Sequence, residues 1–126
     1  MRVRGPDGAD LWTFKHSDSG SVVPCEPLLA DVTGDGKADV IFTASDSATK
    51  TGRLIVLDGS GRLRLDFPLP YHNQAAPTLA DINGDGVSEL IIAAFNKGAG
   101  KHSVFVYAWP CVNPKCVPWP TGRGDF

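Results

Sequence analysis

Two short stretches of this chain place oxygen-bearing side chains at a spacing that suits a metal ion. Asp31–Asp39 and Asp81–Glu89 each carry such side chains at positions 1, 3, 5 and 9 and a glycine at position 6. Calcium takes about six to eight oxygen ligands and tolerates irregular geometry, so short flexible loops bind it well. Without a cation, the three carboxylates of each loop would repel one another at close range. The pattern therefore predicts two calcium sites, one in each loop.

The ligands predicted at these sites are side-chain oxygens and the backbone carbonyl of position 7, whose side chain points outward. They are Asp31, Thr33, Asp35, Lys37 and Asp39 in the first loop, and Asp81, Asn83, Asp85, Val87 and Glu89 in the second. Gly36 and Gly86 stand where the chain reverses, a place that often needs a positive φ. We expect the metal to be structural, because no neighbouring histidine or lysine suggests an activated water. An Asp-Gly turn alone also suits an ordinary hairpin, so the duplication in register is what favours calcium.

An EF-hand is the obvious alternative, and the residues after the loops argue against it. An EF-hand loop needs a bidentate glutamate at position 12 and flanking helices. Position 12 is Phe42 in the first copy and Ile92 in the second. The residues that follow, 39–44 and 89–94, form short apolar runs rich in β-branched and aromatic residues, which predict buried strands. We therefore expect each metal loop to connect two strands.

The composition is that of an ordinary globular chain. With 126 residues, 42% hydrophobic residues and a net charge of −2, it can form one modest core and gives no indication of nucleic-acid binding. No apolar run approaches the ~20 residues needed to span a bilayer. Residues 1–6 lack the apolar core of a secretion signal. The chain therefore either stays inside the cell or is a mature or excised piece of a longer exported protein.

The two loops belong to a longer internal repeat. Pro27-x-Leu29-Ala30-Asp31 recurs as Pro77-x-Leu79-Ala80-Asp81, an offset of 50 residues that holds through the loops and the apolar runs after them. A period of about 40–50 residues indicates a propeller or a similar array. The first unit predicts strands at 22–31, 38–45, 53–57 and 62–67, and the second predicts strands at 76–82, 88–95 and 103–109.

The ends of the chain repeat parts of the same unit. Asp7–Phe14 resembles the turn and fourth strand at 58–67, so Leu11–Phe14 could complete the second sheet. We divide the chain into an N-terminal segment with a last strand (1–21), two repeats (22–68 and 69–109) and a C-terminal segment rich in Cys, Pro and Trp (110–126). The prediction is an all-β fold of about two four-stranded antiparallel sheets of the propeller-blade type. Because a closed propeller needs about 4–8 blades, the chain forms an incomplete propeller or one assembled from several chains.

Residues 22–109 resemble FG-GAP/VCBS-type repeats, the blades of integrin-α-like β-propellers. The resemblance is carried by the duplicated loops and by the Val40-Ile41 and Leu90-Ile91 runs that follow them. It implies calcium loops between the first two strands of each blade, and a secreted or cell-surface location. Two residues depart from the family pattern. Thr33 replaces the usual Asp or Asn, and Glu89 replaces Asp, which together imply that the second site binds calcium more tightly than the first.

Three cysteines bear on the compartment. Cys111 and Cys116 could close a small disulfide loop around Pro114, which would fit an oxidising compartment, and a metal pair is the alternative. Cys25 is then either a buried thiol or the partner of a cysteine outside this chain. An extracellular location also suits the loops, because millimolar calcium fills even weak sites.

The remaining polar and aromatic residues give weaker indications. His16, His72 and His102 share no spacing typical of a triad or a zinc site, and there is no phosphate-binding glycine loop. Arg123-Gly124-Asp125 is a tripeptide that some integrins recognise, and chance accounts for it as well. The segment Thr43–Thr51 is interpreted as an exposed, solvated loop. A sugar-stacking surface could be formed by Trp12, Trp109, Trp119, Tyr71, Tyr107 and His72, although tryptophan in a small β protein is more often core.

We therefore expect a calcium-binding, extracellular repeat module with a structural or adhesive role. It would present loops to a protein or glycan partner, to further blades or to other copies of itself. No catalytic pair is visible, so we expect no enzyme activity, and neither a nucleic-acid partner nor a membrane span is expected. One alternative is a glycan-binding lectin module, and another is an accessory region of a larger extracellular enzyme that acts on polysaccharides.

Overall fold

The computed structural model describes residues 1–16, 25–46, 48–73, 75–96 and 99–111, and of residues 96, 101 and 107–111 only the backbone. Within these ranges the regular structure consists of strands. They are β1 (Arg2–Arg4), β2 (Asp10–Thr13), β3 (Leu28–Ala30), β4 (Asp39–Asp46), β5 (Thr51–Leu57), β6 (Leu63–Leu69), β7 (His72–Asn73), β8 (Thr78–Ala80), β9 (Ser88–Asn96) and β10 (Lys101–Cys111). One two-stranded and two four-stranded antiparallel sheets result, which confirms the predicted all-β fold of incomplete propeller-type blades.

The first four-stranded sheet follows the first repeat and has the order β3-β4-β5-β6. β3 begins directly after Pro27, which has no N–H to give to a strand ladder. The segment Thr43–Thr51 was expected to be an exposed loop, and this is wrong for most of it. The β4–β5 ladder continues to the pairing of Asp46 with Thr51. Thr43 and Ser45 are consequently buried, and only residues 47–50 connect the two strands.

The second sheet also has four strands, but two of them, β7 and β8, lie along the same edge of β9, so the sheet is three strands wide. β9 pairs with β10 along one edge. Along its other edge it pairs with β8 between Glu89 and Ile91, and further on with β7 at Ala94 and Phe95. In the described part of the chain, β7 and β8 thus share the edge that β3 alone occupies in the first sheet.

The N-terminal hairpin does not complete the second sheet, so the prediction for Leu11–Phe14 is wrong. β2 pairs with β1, and the backbones of Met1 and Phe14 hydrogen bond to each other in both directions, at 2.7 and 2.9 Å. The physical reason is apolar burial, because Met1, Trp12 and Phe14 pack against the first sheet. The hairpin covers the face of that sheet that is turned away from the second sheet.

Two apolar layers lie on the opposite faces of the first sheet. The layer between the two four-stranded sheets consists of Leu28, Ala30, Ile41, Leu54, Val56 and Leu69 from the first sheet and Leu79, Leu90 and Ile92 from the second. The layer under the hairpin consists of Val40, Phe42, Ala44, Ile55 and Leu57. The sheets are also joined by a buried polar contact, in which the Ser45 hydroxyl donates to the carbonyl of Asn73 at 2.7 Å. The first sheet is therefore the centre of the described structure.

Candidate functional site

Each predicted metal loop is a turn folded around the carboxylate of its first residue. Oδ1 of Asp31 accepts hydrogen bonds from the backbone N–H groups of positions 4 and 5, at 2.7 and 3.1 Å, and Oδ2 accepts one from position 6, at 2.8 Å. Asp81 makes the same three bonds, at 2.7, 3.2 and 2.8 Å. Because these bonds join residues at most five apart, the nine-residue sequence itself dictates this turn.

Glycines allow the backbone of both loops to turn inward. The φ angle is 81° at Gly36 and 85° at Gly86, as the reversal of the chain at position 6 predicted. Gly34 and Gly84, at position 4, also have positive φ angles of 75° and 77°. Other residues adopt this left-handed region only at a cost. Each loop thus has a glycine at position 4 as well as at position 6, and the prediction of a positive φ had been made for position 6 alone.

The acidic residue at position 9 closes each loop from the following strand. Asp39 is fully buried at the start of β4, and its Oδ2 accepts hydrogen bonds from the N–H groups of Val32 and Thr33, both at 2.9 Å. Glu89 is also buried, and its Oε2 accepts a bond from the N–H of Ile82 at 3.0 Å. Its other oxygen accepts a bond from the amide of Asn83 at 3.2 Å. The longer glutamate thus reaches the same part of its loop.

The carboxylate at position 5 is exposed in both loops and makes a local bond. Oδ1 of Asp35 accepts from the N–H of Lys37 at 2.9 Å, and Oδ1 of Asp85 accepts from the N–H of Val87 at 2.8 Å. In the second loop the amide of Asn83 also donates to Oδ2 of Asp85, at 3.0 Å. The side chains of Lys37 and Val87 are exposed. What position 7 can offer to an ion is therefore its carbonyl.

The backbone of the second loop favours the ionised form of its first carboxylate. The N–H of Gly86, helped by those of Gly84 and Asp85, holds the pKa of Asp81 below its ordinary value, although partial burial acts in the opposite direction. Hydrogen bonds to a carboxylate stabilise its charged form. A charged Asp81 is what both the turn and a bound cation require.

The donor chemistry of the loops fits a hard cation, because the candidate ligands are oxygens. Among the described residues, no three Asp, Glu, His or Cys side chains converge closely enough to hold a metal ion. The reason is visible in the bonds above, since the carboxylates at positions 1, 5 and 9 each accept backbone N–H groups of the loop. Each loop thus offers oxygen ligands of the kind that calcium prefers, close together in the sequence. The ten predicted ligands stay a prediction.

The predicted sugar-stacking surface is divided among different parts of the fold. Trp12 lies over the turn after β5, where its indole N–H donates to the carbonyl of Gly59 at 3.1 Å. Tyr71 lies at the other end of β5, with its carbonyl next to Gly52 and its ring 6.0 Å from that of Phe105. The structure describes only the backbone of Tyr107 and Trp109, and Trp119 lies outside the described residues. Trp12 and Tyr71 therefore do not share one surface.

The histidines are separated between the two sheets. His16 lies 3.7 Å from Asp66 of the first sheet. His72 and His102 both pair with Phe95 in the second sheet, and the His102 ring stacks on Phe95 with centroids 4.5 Å apart. This row of three rings was not predicted, because the register that brings His72, Phe95 and His102 side by side is set by the strand pairing.

Cys25 is half-buried beside β4. Its Sγ lies 3.4 Å from the hydroxyl of Thr43, and burial raises the pKa of the thiol. The predicted disulfide between Cys111 and Cys116 lies outside the described residues, as does the Arg123-Gly124-Asp125 tripeptide.

The comparisons with known proteins identify the repeat. Residues 31–92, from the first loop to the middle of β9, match the family described as FG-GAP-like repeat. This confirms the resemblance to FG-GAP repeats over that part of the chain. No curated protein and no solved structure matches the chain. With its stacked antiparallel sheets, the chain is a β-propeller-type repeat module. In the described part of the chain, there is no helix with the length and apolar character needed to cross a bilayer.

Proposed function

We propose that this chain is a calcium-binding repeat module of an extracellular protein, with a structural or adhesive role toward a protein or glycan partner. The observation that carries the proposal is the repetition of the whole loop. Asp31 and Asp81 make the same three bonds, and each loop has two glycines with positive φ. The FG-GAP-like match over residues 31–92 supports the same function. The proposal includes no catalytic step.

The exposed carboxylate at position 5 is the feature that a simple turn explains least. Asp35 and Asp85 are exposed, and the backbone hydrogen bond that each accepts is a local one, from the N–H of position 7. A turn would form without either charge, whereas a cation needs more than the carboxylates at positions 1 and 9. We propose that calcium is held by positions 1, 3, 5 and 9 and the carbonyl of position 7, and that it fixes the end of the sheet where the loops lie.

Calorimetric titration and native mass spectrometry in calcium test this assignment. We expect the parent chain to bind one ion per loop, and Asp35→Ala and Asp85→Ala each to lose one of the two. Asp7→Ala is the matched control, because Asp7 is also exposed and its Oδ1 accepts the N–H of the residue two positions on, at 3.0 Å. Its ion count should equal that of the parent. No binding at millimolar calcium, or equal counts in all variants, would refute the proposal.

Thermal unfolding gives an independent test. An ion that binds only the folded chain stabilises it by roughly 2.7 kcal/mol when its free concentration is about 100 times its Kd. We therefore expect a chelator to lower the Tm of the parent chain, and to lower it less in Asp85→Ala, in which the tighter of the two sites is removed. A transition that is unchanged by chelator would count against a structural role for calcium.

A further inference from the structure

β10 is the longest strand of the described structure, and it lies at the edge of its sheet. It runs from Lys101 to Cys111, whereas its counterpart in the first sheet, β5, runs from Thr51 to Leu57. β5 has a neighbour on each side, β4 and β6, but among the described residues β10 pairs with β9 alone. The second sheet therefore has no described strand in the place that β6 fills in the first sheet.

The composition of β10 is not that of an edge strand. Natural edge strands are short, charged or interrupted by proline, because their outer N–H and C=O groups would otherwise recruit another strand. The other edges of these two sheets follow that rule. β3, β7 and β8 are at most three residues long, and β6 carries Arg64, Asp66 and Pro68. From His102 to Trp109, β10 contains no Asp, Glu, Lys, Arg or Pro, which is typical of a strand with a neighbour on both sides.

The chain that follows β10 repeats a feature of the strand that covers β5. The end of β6 and the next residue read Phe67-Pro68-Leu69-Pro70. At the repeat offset of 50 residues, the chain reads Val117-Pro118-Trp119-Pro120. Each stretch alternates a large apolar residue with proline, and the sequence contains no other Pro-x-Pro. The internal repeat therefore extends beyond β10, into the segment that would correspond to β6.

The prolines of this segment leave one edge of an extended strand intact. Successive N–H groups of a strand point to opposite edges, as successive side chains point to opposite faces. Pro118 and Pro120 are two residues apart, so both missing N–H groups fall on the same edge. The odd-numbered residues of 115–121 then keep their N–H groups on the other edge. β6 shows that a sheet accommodates such a strand, because Pro68 lies within the ladder to β5.

We propose that residues 115–121 form the fourth strand of the second sheet, antiparallel to β10 on the edge away from β9. A segment that follows a strand after a short connection usually becomes its antiparallel neighbour. Residues 112–114 supply that connection, and Asn113-Pro114 is a sequence typical of turns.

This strand would protect the second sheet from pairing with other chains. Its odd-numbered N–H groups bond to the outer carbonyls of β10, and Pro118 and Pro120 then lie at the new edge, as Pro68 does in β6. The long uncharged strand becomes an interior strand, as its composition indicates. This inference does not depend on calcium, because neither β10 nor residues 115–121 include a predicted ligand.

Hydrogen exchange followed by NMR tests the proposal on the full chain. Alternate N–H groups of an edge strand point to solvent and exchange fast, whereas a strand with two neighbours protects consecutive ones. We expect consecutive N–H groups of β10 to be protected between His102 and Trp109. Val117→Pro removes a donor that faces β10, and should speed the exchange of alternate β10 groups by about tenfold or more. Pro118→Ala is the matched control, because position 118 faces outward and its variant should exchange as the parent does.

The outcomes separate the possible neighbours of β10. The N–H groups of β5 serve as the internal reference, since their exchange stays slow in every variant that folds. Consecutive protection that only Val117→Pro lowers, in calcium and in chelator alike, supports the proposal. Alternate protection in the parent overturns it, because the edge is then open.

Two further results would also overturn the proposal. Consecutive protection that Val117→Pro leaves unchanged, or that Pro118→Ala lowers equally, means that a different segment covers β10. A dimer in sedimentation velocity, whose dissociation removes the protection, means that a second copy supplies the strand. Consecutive protection in a chain that binds no calcium would leave this proposal standing and remove the proposed function.

Discussion

The substitution Asp39→Ala should destabilise the fold more than its single charge suggests, because two backbone groups depend on this side chain. The Asp39 carboxylate is fully buried and accepts the N–H groups of Val32 and Thr33, both at 2.9 Å. Alanine leaves both without an acceptor. Val32 is half-buried, so leaving its N–H unpaired should lower the free energy of unfolding by about 2 kcal/mol. Thr33 is exposed, so water can replace the lost acceptor, and the decrease there should be about 1 kcal/mol. We expect a total loss of about 3 kcal/mol.

Urea unfolding in the presence of chelator measures this loss without a contribution from bound metal. Asp39→Asn is the control, because an amide oxygen can still accept both N–H groups and its NH₂ can donate to the Thr33 hydroxyl, which lies 3.4 Å from the present carboxylate. Its loss should be about 1 kcal/mol, from the weaker neutral bonds. Equal losses for alanine and asparagine would refute the reasoning, since they would mean that the charge and not the pair of backbone bonds stabilises the loop.

Two further predictions concern the turn after β5. Gly61→Ala should lower the free energy of unfolding, measured with urea, by about 2–4 kcal/mol. The reason is that φ is 81° at this position and the new methyl would lie 2.5 Å from Cδ2 of Trp12. Gly84→Ala, at φ 77° with nothing within 4 Å, should cost only about 1 kcal/mol, and equal costs would mean that the Trp12 contact does not matter. The second prediction is an acid-sensitive step: the Ser60 hydroxyl, with the N–H of Arg62, lowers the pKa of Asp58 to about 2. Because the folded pKa lies below the unfolded value of about 3.9, this stabilisation is complete above that pH and is lost as the pH falls through about 2. Asp58→Asn should flatten this part of the pH profile of the urea midpoint, and parallel profiles would contradict it.

The sequence alone determined the local structure of the loops and the order of the strands. The nine-residue loops fold by hydrogen bonds between residues at most seven apart, so their composition is sufficient to specify the turn. β4 and β9 were expected at 38–45 and 88–95 and lie at Asp39–Asp46 and Ser88–Asn96, because a run of β-branched and aromatic residues has few other choices. The repeat offset was sufficient to indicate the family, since duplication is visible without any contact.

Tertiary structure decided what lies against each face of the sheets. β4 is buried on both sides, so the apolar character of Val40 and Phe42 gives no indication of which neighbour they meet. The hairpin shares its turn sequence with the strand at 58–67, which made the second sheet a plausible position for it. Burial of Met1, Trp12 and Phe14 against the first sheet placed it elsewhere. Such contacts join residues more than twenty-five positions apart, as Trp12 and Gly59 are, and no local pattern encodes them.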